Sequence, residues 1–166
     1  MDKFNAMSIG EKIILIAGAV LLIASFLPWY RVSAFGFTFS AHAWEAPNAI
    51  WSILAVLVGL VMSATVAART FTDVKLPADI GGQSWGRIFL GGGALVLLLL
   101  VIKFLAESSN LSYGFYIGFL SAVALAAGGA LLFRDAGGVL PGMGGGDSPG
   151  GSPPSGSPPP SDTSGQ

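Results

Sequence analysis

Four stretches of the chain are nearly unbroken apolar runs, and between them polar residues, Gly and Pro return. The runs extend from Ile13 to Tyr30, Ala49 to Ala68, Ile88 to Phe104 and Tyr113 to Phe133. Three contain no charged side chain, and the third has only Lys103, its penultimate residue. A helix of about 20 apolar residues crosses the ~30 Å hydrocarbon core of a bilayer. The pattern therefore predicts an all-α integral membrane protein, with spans at about 9–30, 48–68, 86–105 and 113–133 forming a four-transmembrane-helix bundle. Connections of 18, 19 and 8 residues separate the runs, so residues 1–136 are read as one membrane domain.

The ends of the first run refine this picture. Ser8-Ile9-Gly10-Glu11 has the spacing of a capping box, which predicts a helix start at Ile9. Lys3 and Lys12 ahead of the run, with Val32-Ser33-Ala34 behind it, also suit a cleaved signal peptide. The run has 18 residues, longer than the roughly 7–15 of a signal h-region. It closes on Pro28-Trp29-Tyr30, which suits an interfacial aromatic belt, so it is read as a retained anchor.

Between the first two runs the period changes. Phe35, Phe37 and Phe39 alternate with Gly36, Thr38 and Ser40, a period of two that belongs to a strand. Residues 37–41 are expected to pair back on 30–34 around Phe35-Gly36, giving a short β-hairpin-like outer loop. The three phenylalanines are expected to share one face and lie on the helix ends or at the lipid interface. Residues 137–166 are a different material, with 10 Gly and 7 Pro among 30 residues and no aromatic side chain. Such a segment cannot bury enough apolar surface to offset its ordering entropy and is expected to be a disordered tail.

Composition agrees with a membrane setting. Hydrophobic residues make up 52% of the chain, charged residues 10%, and mean hydropathy is +0.71. A water-soluble domain carries roughly 25% charged residues. The net charge of −1 at this low density leaves no dense basic patch, which argues against nucleic acid as a partner. With no Cys and one His, neither a thiolate site nor a protein-built metal cage is expected, and no cofactor is implied.

Charge placement sets the expected topology. Lys3, Lys12, Arg69, Lys75, Arg87 and Arg134 fall on one side of the four spans, and Arg31 and Lys103 on the other. The positive-inside rule then places both termini and the middle loop in the cytoplasm of a multi-pass plasma-membrane protein. Trp29, Tyr30, Trp44 and Trp51 are expected to mark the outer interface. Lys103 is expected to snorkel to the headgroups and to pair with Glu107 four residues on.

Two constellations stand out as sites. Helices in lipid associate where small residues let backbones approach. Ala55, Gly59, Ser63 and Ala67 on span two, and Gly114, Gly118, Ala122 and Ala126 on span four, repeat every four residues and are the candidate packing faces. They would serve packing within the chain or contact with a second copy. The outer loop offers Phe35, Phe37, Phe39, His42, Trp44 and Glu45 as candidate recognition residues. His42 and Glu45 have helical-turn spacing, yet a metal site needs a third ligand and none accompanies them.

The segment Phe26-Leu27-Pro28-Trp29-Tyr30-Arg31-Val32-Ser33, followed by Phe37 and Ala43-Trp44, resembles an uncharacterised actinobacterial family of small four-span membrane proteins with an F-L-P-W-Y-x-V end to the first helix. The likeness covers roughly residues 8–134, and its specific part is Phe26 to Trp51. It implies the same architecture and brings no catalytic residue or ligand. The plan is also similar to claudin-like tetraspans, although their paired cysteines are missing and the loop is much shorter. No intramembrane charge lies near the middle of a span, and no cluster of catalytic groups exists. The expected role is a structural or protein-interaction component of the plasma membrane without catalysis. Its partners would be the lipid bilayer and other membrane proteins or copies of itself. The alternative is a subunit of a small oligomeric transporter or channel.

Overall fold

The structure, a computed structural model, describes residues 2–45, 48–72, 79–80, 83–107 and 110–138. A single turn, α1 (Asp2–Asn5), precedes α2 (Ile9–Ser25). The strands β1 (Tyr30–Ala34) and β2 (Phe37–Ala41) follow, then α3 (Ala49–Phe71). A two-residue ladder, β3 (Asp79–Ile80) with β4 (Gln83–Ser84), leads into α4 (Trp85–Ala106), and α5 (Tyr113–Asp135) ends the fold. Helices α3, α4 and α5 are long and apolar enough to cross a membrane. Most of the tail read as disordered, 139–166, lies outside the described residues.

The helix ends follow local chemistry. Ser8 Oγ accepts from the Glu11 amide (3.2 Å) and Glu11 Oε2 accepts from the Ser8 amide (2.9 Å), so the capping box forms and α2 starts at Ile9. At the other end α2 stops at Ser25, five residues short of the expected span end. The cause is Pro28, which has no amide hydrogen and keeps the residue before it out of the helical region. Helix α5 closes with Gly137 at φ +80°. There the Gly137 and Gly138 amides donate to the Arg134 and Phe133 carbonyls, the two bonds of a Schellman motif.

Four helices close a ring: α2 and α4 each pack against both α3 and α5. Ile14, Leu21, Val56, Val96, Leu100 and Leu125 meet inside it without solvent access. Ile16, Ile23, Val61, Leu98 and Leu120 face outward, the arrangement for helices that have lipid around them. Small residues set the approach distances. A Cβ on Gly59 would come within 2.7 Å of Leu21 and 3.0 Å of Leu125, and one on Gly118 within 2.9 Å of the Trp29 ring. Gly114 sits against the Pro28 carbonyl, and Ser63 Oγ donates to the Ile14 carbonyl (2.9 Å) beside Gly18. Ala55 and Ala122 are fully buried, whereas Ala67 and Ala126 are only partly so. A step of four drifts around a helix of 3.6 residues per turn, so Val66, Gly128 and Gly129 take over the buried line.

Candidate functional site: the hairpin end of the bundle

Once Pro28 ends α2, the chain doubles back under its own loop. Trp29 becomes fully buried, its Nε1 donating to the Ala24 carbonyl (2.7 Å) and its ring standing edge-on to Phe115 at 5.5 Å. The Trp29 amide donates to the Ala41 carbonyl (2.9 Å), and the Trp29 carbonyl accepts from the Ser112 amide (2.8 Å). The Arg31 amide donates to the Asn110 carbonyl (3.1 Å), so the base of β1 is held on both edges. Trp29 and Tyr30 therefore do not form the expected interfacial belt. They are the plug that closes this end of the ring, because backbone bonds on both sides of β1 turn their side chains inward. Trp44 and Trp51 are half-buried, with Trp44 Nε1 donating to Ser25 Oγ (3.1 Å).

The hairpin pairs in the expected register, Tyr30 with Ala41 through to Ala34 with Phe37. Val32 and Ala34 stand opposite Phe39 and Phe37 on one face, and Arg31 and Ser33 opposite Ser40 and Thr38 on the other. Phe37 and Phe39 are 69% and 67% exposed. Phe35 does not share their face: it occupies the turn with Gly36, at φ 54° and 82°, and is 100% exposed. The expectation that the phenylalanines lie on the helix ends is thus overturned. Trp29, Tyr30 and Ala43 already cover those ends, and residues 31–40 stand clear of the bundle.

A two-residue hairpin turn with positive φ at both positions favours Asn or Gly first and Gly second. A bulky Phe in the left-handed region costs roughly 1–2 kcal/mol. The tip thus carries a side chain that the turn itself disfavours and that no described residue covers.

Beneath the hairpin lies a polar cluster that the sequence only half disclosed. Lys103 is expected to pair with Glu107, and it does so at 3.8 Å, but it does not snorkel: its side chain is wholly buried. Nζ donates to the Asn48 carbonyl (3.3 Å) and lies 5.2 Å from the centre of the Tyr30 ring. Asn48, in the left-handed region at the start of α3, donates through Nδ2 to Glu107 Oε1 (3.2 Å). Tyr30 and Glu107 Oε2 are also buried, and burial, reinforced by the Glu107 carboxylate, pushes the Tyr30 phenol well above its ordinary value. The arrangement ties β1, the start of α3 and the end of α4 together. It is a clasp.

His42 Nδ1 and Glu45 Oε2 meet at 3.1 Å with both side chains partly exposed. Among the described residues no group of three His, Cys, Asp or Glu could hold a metal ion. The small-residue faces of α3 and α5 lie within the ring and contribute to the site only through Gly114 and Gly118, which make room for the Trp29 plug. The signal for the clasp was present in the sequence as a lone Lys inside an apolar run with Glu at i+4. Tyr30 and Asn48 carried no signal, because only the tertiary fold brings them there. No known protein family, no curated protein and no solved structure matches this chain.

Proposed function

We propose that this chain is a four-span plasma-membrane protein that holds an aromatic hairpin rigidly at the outer surface, as a docking element for another membrane protein or another copy of itself. It works by contact and without catalysis. The observation that carries this reading is Phe35, fully exposed at the hairpin tip in a backbone conformation that disfavours it. Strain held at a presented side chain points to use of that side chain. The clasp and the Trp29 plug support the reading, since they brace the hairpin base against all four helices of the ring.

Helix α2 is the fourth span in this reading. Its 17 residues pack against α3 and α5 and expose Ile16 and Ile23. Both termini are then cytoplasmic, a reading that the Lys and Arg distribution supports. An impermeant thiol reagent applied to intact cells is expected to label Ser33→Cys and to spare Ser84→Cys; the opposite pattern would reverse the topology. The transporter alternative would need a path between copies, because large apolar side chains fill the centre of the ring.

A photoreactive phenylalanine analogue tests the docking role. At position 35 it is expected to give protein adducts in native membranes, and at Ile16 lipid adducts alone. Lipid adducts alone at both positions would overturn the proposal. Phe35→Asn is expected to raise the unfolding free energy by about 1 kcal/mol, because Asn tolerates the left-handed region.

A further inference from the structure

The end of the bundle away from the hairpin holds a cleft of about 350 Å³. It opens where α3 ends, α4 begins and α5 ends, and Arg69, Ser84, Trp85, Phe89, Leu132 and Asp135 line it. These three helices are the ones long and apolar enough to cross a membrane, so the cleft lies where they leave the hydrocarbon. The Arg69 guanidinium sits over the Trp85 ring, 4.9 Å from its centre, which fixes a cation at the mouth. Asp135 lines the same cleft and, among the described residues, is not an ion-pair partner of Arg69. Phe89 and Leu132 make the deeper wall apolar, and Gly86 lets the α5 backbone close it, since a Cβ there would come within 2.9 Å of the Leu132 carbonyl.

One cation and one anion at the mouth of an apolar cleft, at headgroup depth, match a ligand with the complementary pair of charges and an apolar continuation. We propose that this cleft binds the phosphoethanolamine headgroup of a membrane phospholipid. Arg69 holds the phosphate diester, and the Ser84 hydroxyl, which makes no cap hydrogen bond to α4, is a further donor. Asp135 accepts from the primary ammonium, and the negative end of the α5 dipole adds to the attraction. The lipid chains continue past Phe89 and Leu132. Phosphatidylglycerol would leave Asp135 facing an anion without a cation, and the trimethylammonium of phosphatidylcholine has no hydrogen to donate. The proposal rests on the chain being embedded in a membrane and is independent of the hairpin's role.

The test is native mass spectrometry of the full chain in mild detergent, offered phosphatidylethanolamine, phosphatidylglycerol and phosphatidylcholine in equal amounts. Phosphatidylethanolamine is expected to be retained about tenfold better than either competitor, the equivalent of one charge-assisted hydrogen bond. Arg69→Gln is expected to reduce retention of all three, and Asp135→Asn to level phosphatidylethanolamine with phosphatidylcholine. Both side chains are exposed, so unchanged circular dichroism should accompany these losses. Equal retention of the three lipids by the parent chain, or parental selectivity in Asp135→Asn, would overturn the proposal. Displacement of the lipid by an equal concentration of soluble glycerophosphoethanolamine would also overturn it, by showing a site for the free headgroup.

Discussion

Gly93→Ala is expected to lower the unfolding free energy by about 2–3 kcal/mol, the upper range for forcing extra volume into a packed interior. The three adjacent glycines of α4 make a graded experiment. A Cβ on Gly93 would come within 2.7 Å of the Ala126 Cα and 2.8 Å of the Leu125 carbonyl. Those atoms are backbone, so relief requires α4 and α5 to move apart along their contact. A Cβ on Gly92 would meet Met62 Sδ at 2.9 Å, and a thioether with several rotatable bonds can swing aside at a cost of about 1 kcal/mol or less. Gly91 has nothing within 4 Å. There Ala is expected to be neutral or to stabilise by up to ~1 kcal/mol through its higher helix propensity. Reversible unfolding in mixed micelles, followed by far-ultraviolet ellipticity, measures the series. Equal midpoints for Gly91→Ala and Gly93→Ala would show that α4 and α5 do not approach at Gly93.

Glu107→Ala should be the other severe change, with a loss of about 3 kcal/mol, the lower end of the range for breaking a buried ion pair. The lower end applies because Lys103 keeps the Asn48 carbonyl. Lys103→Met leaves the buried Glu107 Oε2 without its cation, but Glu107 keeps its bond from Asn48 and is not wholly buried, so it should cost less, about 1–3 kcal/mol. Adding Lys103→Met to Glu107→Ala removes the uncompensated charge and should recover most of the loss. That sign of coupling is what distinguishes a buried cation from a snorkelling one. If Glu107→Ala and Lys103→Met are both nearly silent, Lys103 is hydrated and the clasp does not brace the hairpin.

The hairpin shows how far local pattern reaches. The alternation from Phe35 to Ser40 specified strands and register, because the strand period of two is written directly into neighbouring residues. It could not specify which way the assembled hairpin faces. The three phenylalanines looked like one apolar face seeking cover. Phe35 instead occupies the turn, and the helix ends are covered from below by Trp29 and Tyr30. The two-residue ladder of β3 and β4 left no sign in the sequence, since two residues per strand are too few to show a period.

What the sequence determined by itself was each element whose cause lies within a few residues. The apolar runs fixed the helices, Ser8 and Glu11 the start of α2, and the small-residue steps the faces on which α3 and α5 pack. Even there a four-residue step drifted off the buried line at Ala67 and Ala126, as helix geometry demands. The tertiary structure decided everything that depends on distant partners. Tyr30, Asn48 and Lys103 are far apart in the chain and meet only because the ring of helices closes and β1 is held on both edges. A lysine near a helix end reads as interfacial in one dimension. Whether it reaches water or a buried clasp is set by what the rest of the chain lays over it.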